Sequence, residues 1–367
     1  MYISEVSGHH QATKAIENAL KILDPKISIL NINGFHYTNP ISEKIVNRLY
    51  MGVIKRTPKI WDYLYDNSKV VKGLQRWKRL LHRLNSPKLK NLYDDFRPQV
   101  IACSQAFPCG MVADFRERYN LSIPLVAVVT DYIVHSFWLY PTVDFYITAD
   151  EASKNRLIDK GILPQRIKVL GIPVDPKFTE RVDKERVYKR FNLDMSLPTV
   201  LVMGGGQGLG PIKRIVKFLN RVRGKIQIII ISGNNKRLFR DLRRSTSSYK
   251  KKVVILGFVE NVYEIMSISD ILITKPGGIT TAEALSKGLP MIIVKPIPGQ
   301  EAQNTSYLVG NKVAIKIEKE NQIPSLIEEE LLANPNLIRD MKSKTLRIAR
   351  PNSSFEIAKL LLNLCES

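Results

Sequence analysis

Residues 271–285 read Ile271-Leu272-Ile273-Thr274-Lys275-Pro276-Gly277-Gly278-Ile279-Thr280-Thr281-Ala282-Glu283-Ala284-Leu285. An apolar run ends at Thr274, two adjacent glycines turn the chain, and a helical pattern opens with threonines in its first turn. Main-chain N–H groups at such a turn, with a helix dipole behind them, form a nest for an anion. Glu283, one turn further in, can accept hydrogen bonds from a ribose diol. Gly288-Leu289-Pro290 stops the helix and Met291 to Val294 begins a new strand. Strand, glycine turn, helix and strand in succession make the repeating unit of a parallel sheet, which sets the fold class as α/β.

Downstream, the next strand ends at Lys295-Pro296-Ile297-Pro298-Gly299-Gln300-Glu301, with Asn304 one turn later. Gln300 and Glu301 offer amide and carboxylate groups for sugar hydroxyls. This loop and the Pro276-Gly277-Gly278 turn follow successive strands, so both are expected at one sheet edge, where open α/β sheets bind ligands.

Upstream, strands are expected at Thr199 to Met203, Ile226 to Ser232 and Val253 to Leu256, each followed by glycine or polar residues. After the first comes Gly204-Gly205-Gly206-Gln207-Gly208-Leu209-Gly210-Pro211. Glycines there let the backbone approach a phosphate. The spacing does not fit the dinucleotide fingerprint, because Leu209 stands at the third glycine. Pro211 replaces the lysine of a P-loop. The loop reads as a phosphate-contacting turn, and neither a dehydrogenase nor a nucleoside-triphosphatase is implied.

The first half of the chain has the same rhythm, with apolar runs at Val100 to Cys103, Leu125 to Thr130, Phe145 to Thr148 and Ile167 to Leu170, and a helical stretch at Gly110 to Tyr119. Two histidine features stand out. Ser7-Gly8-His9-His10-Gln11 precedes Ala12, Ala15, Ile16, Ala19, Leu20 and Leu23 at helical spacing, which delivers His9 to a helix start. The positive end of the dipole there favours neutral imidazole, the form a general base needs. Thr130-Asp131-Tyr132-Ile133-Val134-His135-Ser136-Phe137-Trp138 begins where a strand ends, placing Asp131 and His135 at a ligand edge. The expected organisation is a Rossmann-like domain over residues 1–177, a polar linker over 178–194, a second Rossmann-like domain over 195–350, and a terminal helix over 351–367 that packs back on the first domain.

Over 367 residues the formal charge is +22, which points to an anionic partner. No aromatic ribonucleoprotein strand, zinc motif or helix-turn-helix supports nucleic acid. Cys103, Cys109 and Cys365 form no Cys-x-x-Cys pair, which fits a reducing compartment. No apolar signal region and no run of eighteen apolar residues is present. Nothing is therefore expected to span a bilayer, and the expected setting is the cytoplasm, with any membrane association peripheral and on the inner face.

Between Met51 and Lys90 basic and aromatic residues interleave, including Trp61 and Trp77. From Lys69 to Lys90 the charged residues are Lys69, Lys72, Arg76, Lys78, Arg79, Arg83, Lys88 and Lys90, with no carboxylate among them. Val70, Val71, Leu74, Trp77, Leu80, Leu81 and Leu84 follow helical spacing, as in a basic amphipathic helix able to lie in an anionic interface.

Taken together, these residues resemble the processive diacylglycerol glucosyltransferases of Gram-positive bacteria and the plant monogalactosyldiacylglycerol synthases. The chain is more distantly similar to the peptidoglycan N-acetylglucosaminyltransferase that makes lipid II. The resemblance rests on Gly8-His9, Thr130-Asp131-Tyr132 through His135 and Trp138, Gly171-Ile172-Pro173-Val174, Lys275-Pro276-Gly277-Gly278 through Glu283, and Lys295-Pro296 through Gly299-Gln300-Glu301 and Asn304. It implies a glycosyltransferase of the GT-B type, with two Rossmann-like domains facing a cleft, inverting at the anomeric carbon and needing no metal or other cofactor. The UDP-sugar is a substrate. The resemblance places Gly204, Gly205, Gly206 and Gly233 along the nucleotide, Phe258 at uracil, Pro276, Gly277, Gly278 and Thr280 around the pyrophosphate, Glu283 at ribose, and Gln300, Glu301 and Asn304 by the hexose. His9 would be the base, with Asp131 as the group that orients it. His135, Trp61, Trp77, Lys78 and Arg79 would face the acceptor and membrane. The implied partners are a UDP-hexose, diacylglycerol or a glycosyl-diacylglycerol, and an anionic membrane surface, with glucose the preferred sugar. N-acetylglucosamine transfer to a polyprenyl-linked acceptor and non-catalytic UDP-sugar sensing are the alternatives. In the resembled family a fuller apolar strand leads into the glycine-histidine motif. Here only Met1 to Val6 precede Ser7, so either the strand is short or the native chain starts upstream.

Overall fold

The computed structural model describes residues 1–2, 7–38, 87–297 and 299–366. Trp61, Trp77, Lys78 and Arg79, with most of the expected basic helix, lie outside them. The chain divides into two compact units. The first comprises Met1–Pro176, Ile297–Gln303 and Asn352–Ser367, and the second comprises Lys177–Pro296 and Asn304–Pro351.

Among the described residues, the first unit holds four parallel strands, β1 (Ile101–Cys103), β2 (Leu125–Val128), β3 (Phe145–Thr148) and β4 (Ile167–Val169), in that spatial order. Every residue of β2 is buried, as in a parallel sheet covered on both faces. Alternate side chains serve the two faces. Leu125 and Ala127 join Cys109, Val112 and Ala113 from the helix Ala106–Tyr119. Val126 and Val128 join Ile16, Ala19, Ile357 and Leu361 from the helices Gly8–Leu23 and Ser353–Glu366. Helix Ala106–Tyr119 starts earlier than the expected Gly110 because Pro108 falls in its first turn, where no intrahelical N–H is needed. The terminal helix is fastened to the first unit by serine hydroxyls: Ser353 donates to the Ile172 carbonyl (2.7 Å) and Ser354 to that of Val174 (2.6 Å).

The second unit holds six parallel strands, β5 (Thr199–Met203), β6 (Gln227–Ile231), β7 (Val253–Leu256), β8 (Ile271–Thr274), β9 (Met291–Val294) and β10 (Ala314–Ile317), in the order β10-β9-β8-β5-β6-β7. β10 is not among the strands expected from sequence. Lys316 breaks its apolar run, which an edge strand tolerates. The chain fills one half of the sheet through β5, β6 and β7, then crosses back to lay β8 on the other side of β5, with Val200 beside Ile271 and Met203 beside Thr274. That reversal is the topological switch point, where the loops leaving the two strands part and open a crevice.

Residues 178–194, expected as a polar linker, belong to the second unit. They carry the helix Lys184–Arg190, whose N-cap Asp183 accepts from Arg186 N. Val187 is buried, and Tyr188 Oη donates to the Ile268 carbonyl at 2.9 Å. A charged composition disguised a short amphipathic helix that packs its apolar side on the second unit.

Candidate active site

Two sets of groups are assembled, one at the C-terminal edge of each sheet. In the first unit, Ser7 caps the helix Gly8–Leu23, its hydroxyl accepting from His10 N at 3.3 Å. His9 therefore occupies the first turn. Its Nδ1 lies 2.9 Å from the main-chain carbonyl oxygen of Ser104, just beyond β1, and 2.9 Å from Thr130 Oγ1, two residues beyond β2. The Ser104 hydroxyl in turn donates to the His9 carbonyl at 2.9 Å. A carbonyl can only accept, so Nδ1 carries the proton and the lone pair of the neutral ring is on Nε2. Burial lowers the His9 pKa to about 4, against the Ser104 hydrogen bond, which favours the charged form.

Ser104 and Thr130 thus orient His9. The Asp131 carboxylate, also buried, accepts from Gln300 Nε2. Ser104 escaped the sequence reading because it acts through a main-chain carbonyl, which no side-chain type announces. Its one signal is its position directly after an apolar run. His135 caps the short turn Ser136–Trp138, Nδ1 accepting from Phe137 N at 3.2 Å, and its ring lies against Phe137 and Trp138. Glu301 accepts from the Ile297 N–H at 3.0 Å, bracing the loop that carries it.

In the second unit the glycine loop after β5 folds back on itself and onto the turn after β6. Leu209 N donates to the Gly204 carbonyl (2.9 Å), and Asn234 N donates to that of Gly206 (2.9 Å). These approaches demand glycine at two positions. A Cβ on Gly204 would stand 1.9 Å from the Leu209 carbonyl oxygen, and one on Gly208, at φ +58, 2.0 Å from that of Ser232. Gly206 meets nothing within 4 Å and faces open space, as a backbone that receives a ligand does. Gly233, in the β6 turn, packs directly against Gly205 and Gly206.

Across the switch point, β8 runs into Lys275 and Pro276, and the helix Gly278–Ser286 starts after Gly277 with no side-chain cap. A Cβ on Gly205 would lie 3.9 Å from Lys275 Cε, so the lysine stem passes beside the glycine loop. Asn304, buried, donates from Nδ2 to the Pro276 carbonyl at 3.0 Å and fastens the helix Gln300–Gly310 to this turn. Thr280 and Glu283 lie half-buried on the first turns of the helix Gly278–Ser286, and Phe258, on the loop after β7, is 50% exposed. A small, largely apolar pocket lies between these loops, lined by Met203, Leu209, Pro211, Ile215, Thr274 and Val294 among others.

The sequence matches the monogalactosyldiacylglycerol (MGDG) synthase family over residues 9–174 and the glycosyltransferase family 28 C-terminal domain over residues 199–354. It is 32% identical to the processive diacylglycerol beta-glucosyltransferase of Staphylococcus epidermidis, over 98% of this chain and 90% of that one. This chain belongs to the processive diacylglycerol glucosyltransferase and MGDG synthase family. The relative from Bacillus subtilis, with the same name, is 28% identical over 98% of this chain and 93% of its own. Among solved structures, Acinetobacter baumannii MurG superposes with a TM-score of 0.56 at 14% identity, covering 76% of this chain and 77% of its own, and S. aureus MnaA bound to UDP with 0.61 at 13%, covering 79% and 83%. At that identity the likeness is one of fold, the GT-B class.

Proposed function

We propose that this protein is an inverting glycosyltransferase that moves glucose from UDP-glucose to diacylglycerol, or to a glycosyl-diacylglycerol, at a membrane surface. The observation that carries the reading is His9: a neutral imidazole at a sheet edge, its Nδ1–H tied to Ser104 O, in a chain of this family. The acceptor hydroxyl gives its proton to His9 Nε2 as its oxygen forms a bond to the anomeric carbon. The bond from that carbon to the diphosphate breaks with the electron pair leaving on UDP, and the configuration inverts.

The second unit holds the donor. The uncapped N–H groups of Gly278 to Thr280 and the helix dipole behind them stabilise the charge that develops on the leaving diphosphate. Gly206 gives close backbone approach, and Glu283 receives the ribose hydroxyls. Gln300, with Glu301, is assigned to the hexose. The high basic charge supports attraction to an anionic leaflet. Among the described residues no helix is long and apolar enough to cross a membrane. Action from the cytoplasmic face, where UDP-sugars are made, completes the proposal.

The test is transfer of radiolabel from UDP-glucose and from UDP-galactose to diacylglycerol in anionic vesicles, with products resolved as lipids. Labelled glucosyl-diacylglycerol is expected, and a ladder of products would mark repeated transfer. Folded protein that binds UDP yet labels no lipid from either donor would overturn the reading.

A further inference from the structure

The most deeply buried carboxylate of the second unit that pairs with cations lies outside every motif discussed so far. Glu320 follows β10 and its side chain is 2% exposed. One oxygen is 3.2 Å from Lys295 Nζ and the other 3.2 Å from Arg214 Nη2. Both cations stand at the borders of the pocket. Lys295 directly follows Val294, and Arg214 directly precedes Ile215, and Val294 and Ile215 both line it. Arg214 also lies on the helix Ile212–Leu219 that the glycine loop leads into.

We propose that Glu320 is a positioning residue for the UDP-sugar: by holding Lys295 and Arg214 at once, it sets the separation between the end of β9 and the helix after the glycine loop. The inference rests on the reading of this crevice as the donor site.

Three features support it. A buried carboxylate is retained only when it is paired, and here two exposed cations, 52% and 64% accessible, reach inward to pair it. Lys295 has φ +47, a left-handed backbone that a lysine keeps only when its surroundings hold it there. Gln322 Oε1 then steadies the backbone that carries Glu320, accepting from the N–H groups of Glu318 and Lys319, both at 2.9 Å. The clamp holds in register the end of β9 and the helix Ile212–Leu219, each of which contributes residues to the pocket lining.

The experiment is UDP-glucose and UDP binding by calorimetry to the full-length protein and to Glu320→Gln, which keeps the side-chain volume and removes the charge, alongside donor and acceptor KM. Expected is a loss of roughly tenfold or more in donor affinity, in keeping with the sensitivity of bound geometry to small displacements, with the acceptor KM unchanged. Lys295→Met is expected to reproduce the loss and to add little on top of Glu320→Gln, as partners in one network do. If Glu320→Gln does not fold, Lys295→Met and Arg214→Met, both at exposed side chains, carry the same test. Folded variants that bind UDP-glucose as the wild type does, or that raise donor and acceptor KM equally, would overturn the clamp. Wild-type protein that fails to bind UDP-glucose would instead overturn the donor-site reading on which it rests.

Discussion

His9 Nδ1 and the Ser104 carbonyl oxygen stand 2.9 Å apart, although 95 residues separate them in the chain. The contact fixes the tautomer of the ring, and so decides which nitrogen can take a proton. Burial of the ring, against the pull of that hydrogen bond, keeps it neutral.

The first consequence is kinetic. His9→Ala is expected to lower kcat by roughly 10²–10⁴-fold, the usual worth of a general base, with UDP-glucose affinity unchanged because His9 acts on the acceptor hydroxyl and not on the donor. Steady-state rates on vesicles, with calorimetry for UDP-glucose, check both halves. Unchanged turnover would remove His9 from the chemistry.

The second concerns pH. With a pKa of about 4, His9 stays neutral well below the 6.5 of a free imidazole. The acid limb of kcat/KM attributable to this base is therefore expected near pH 4, not near 6.5. Stability follows the same shift. Between about pH 6.5 and pH 4 the unfolded chain takes up a proton that the folded chain refuses, so stability falls as the pH drops through that window and this contribution is constant above it. Urea unfolding at pH 7 and pH 5, compared between wild type and His9→Gln, reads the difference; equal losses in both proteins would contradict it.

Two glycines of one loop are expected to respond oppositely. Gly208→Ala places a methyl 2.0 Å from the Ser232 carbonyl oxygen at a positive φ, and should destabilise the protein by about 1–3 kcal/mol or more. Gly206→Ala meets no atom of the protein. It should leave the melting temperature alone and weaken UDP binding. Thermal melts with and without UDP distinguish the two, and an Ala at 206 that binds UDP normally would mean the loop does not contact the phosphates.

Glu283→Ala should raise the donor KM by roughly tenfold or more, as expected for lost hydrogen bonds to a charged group. The ribose assignment adds a sharper condition: with 2′-deoxy-UDP-glucose the gap between variant and wild type should shrink. A gap of the same size with both donors would place Glu283 elsewhere.

Glycine turns after apolar runs were enough to mark β5, β8 and β9 and to locate the donor loops at their C-terminal ends, because strand, turn and helix starts are local matters of sterics and period. The helix Gly8–Leu23 was legible for the same reason, from small apolar residues at helical spacing. β10 was not, since an edge strand can carry a lysine in its run. The folded state of 184–190 was hidden by charge, because its apolar side needs a partner surface to be recognised.

By itself, then, the sequence determined the α/β class, the two parallel-sheet halves, the family, and the residue types at the strand ends. Strand order belongs to the tertiary structure. Only when β8 is laid against β5, about 70 residues away, do Gly205 and Lys275 become neighbours. The partners of His9 and the Lys295–Glu320–Arg214 clamp belong to it as well. Local propensity acts over a few residues, whereas a main-chain carbonyl or a buried carboxylate acquires its role from whatever the packed fold brings within hydrogen-bonding or ion-pair distance of it, which no spacing along the chain encodes.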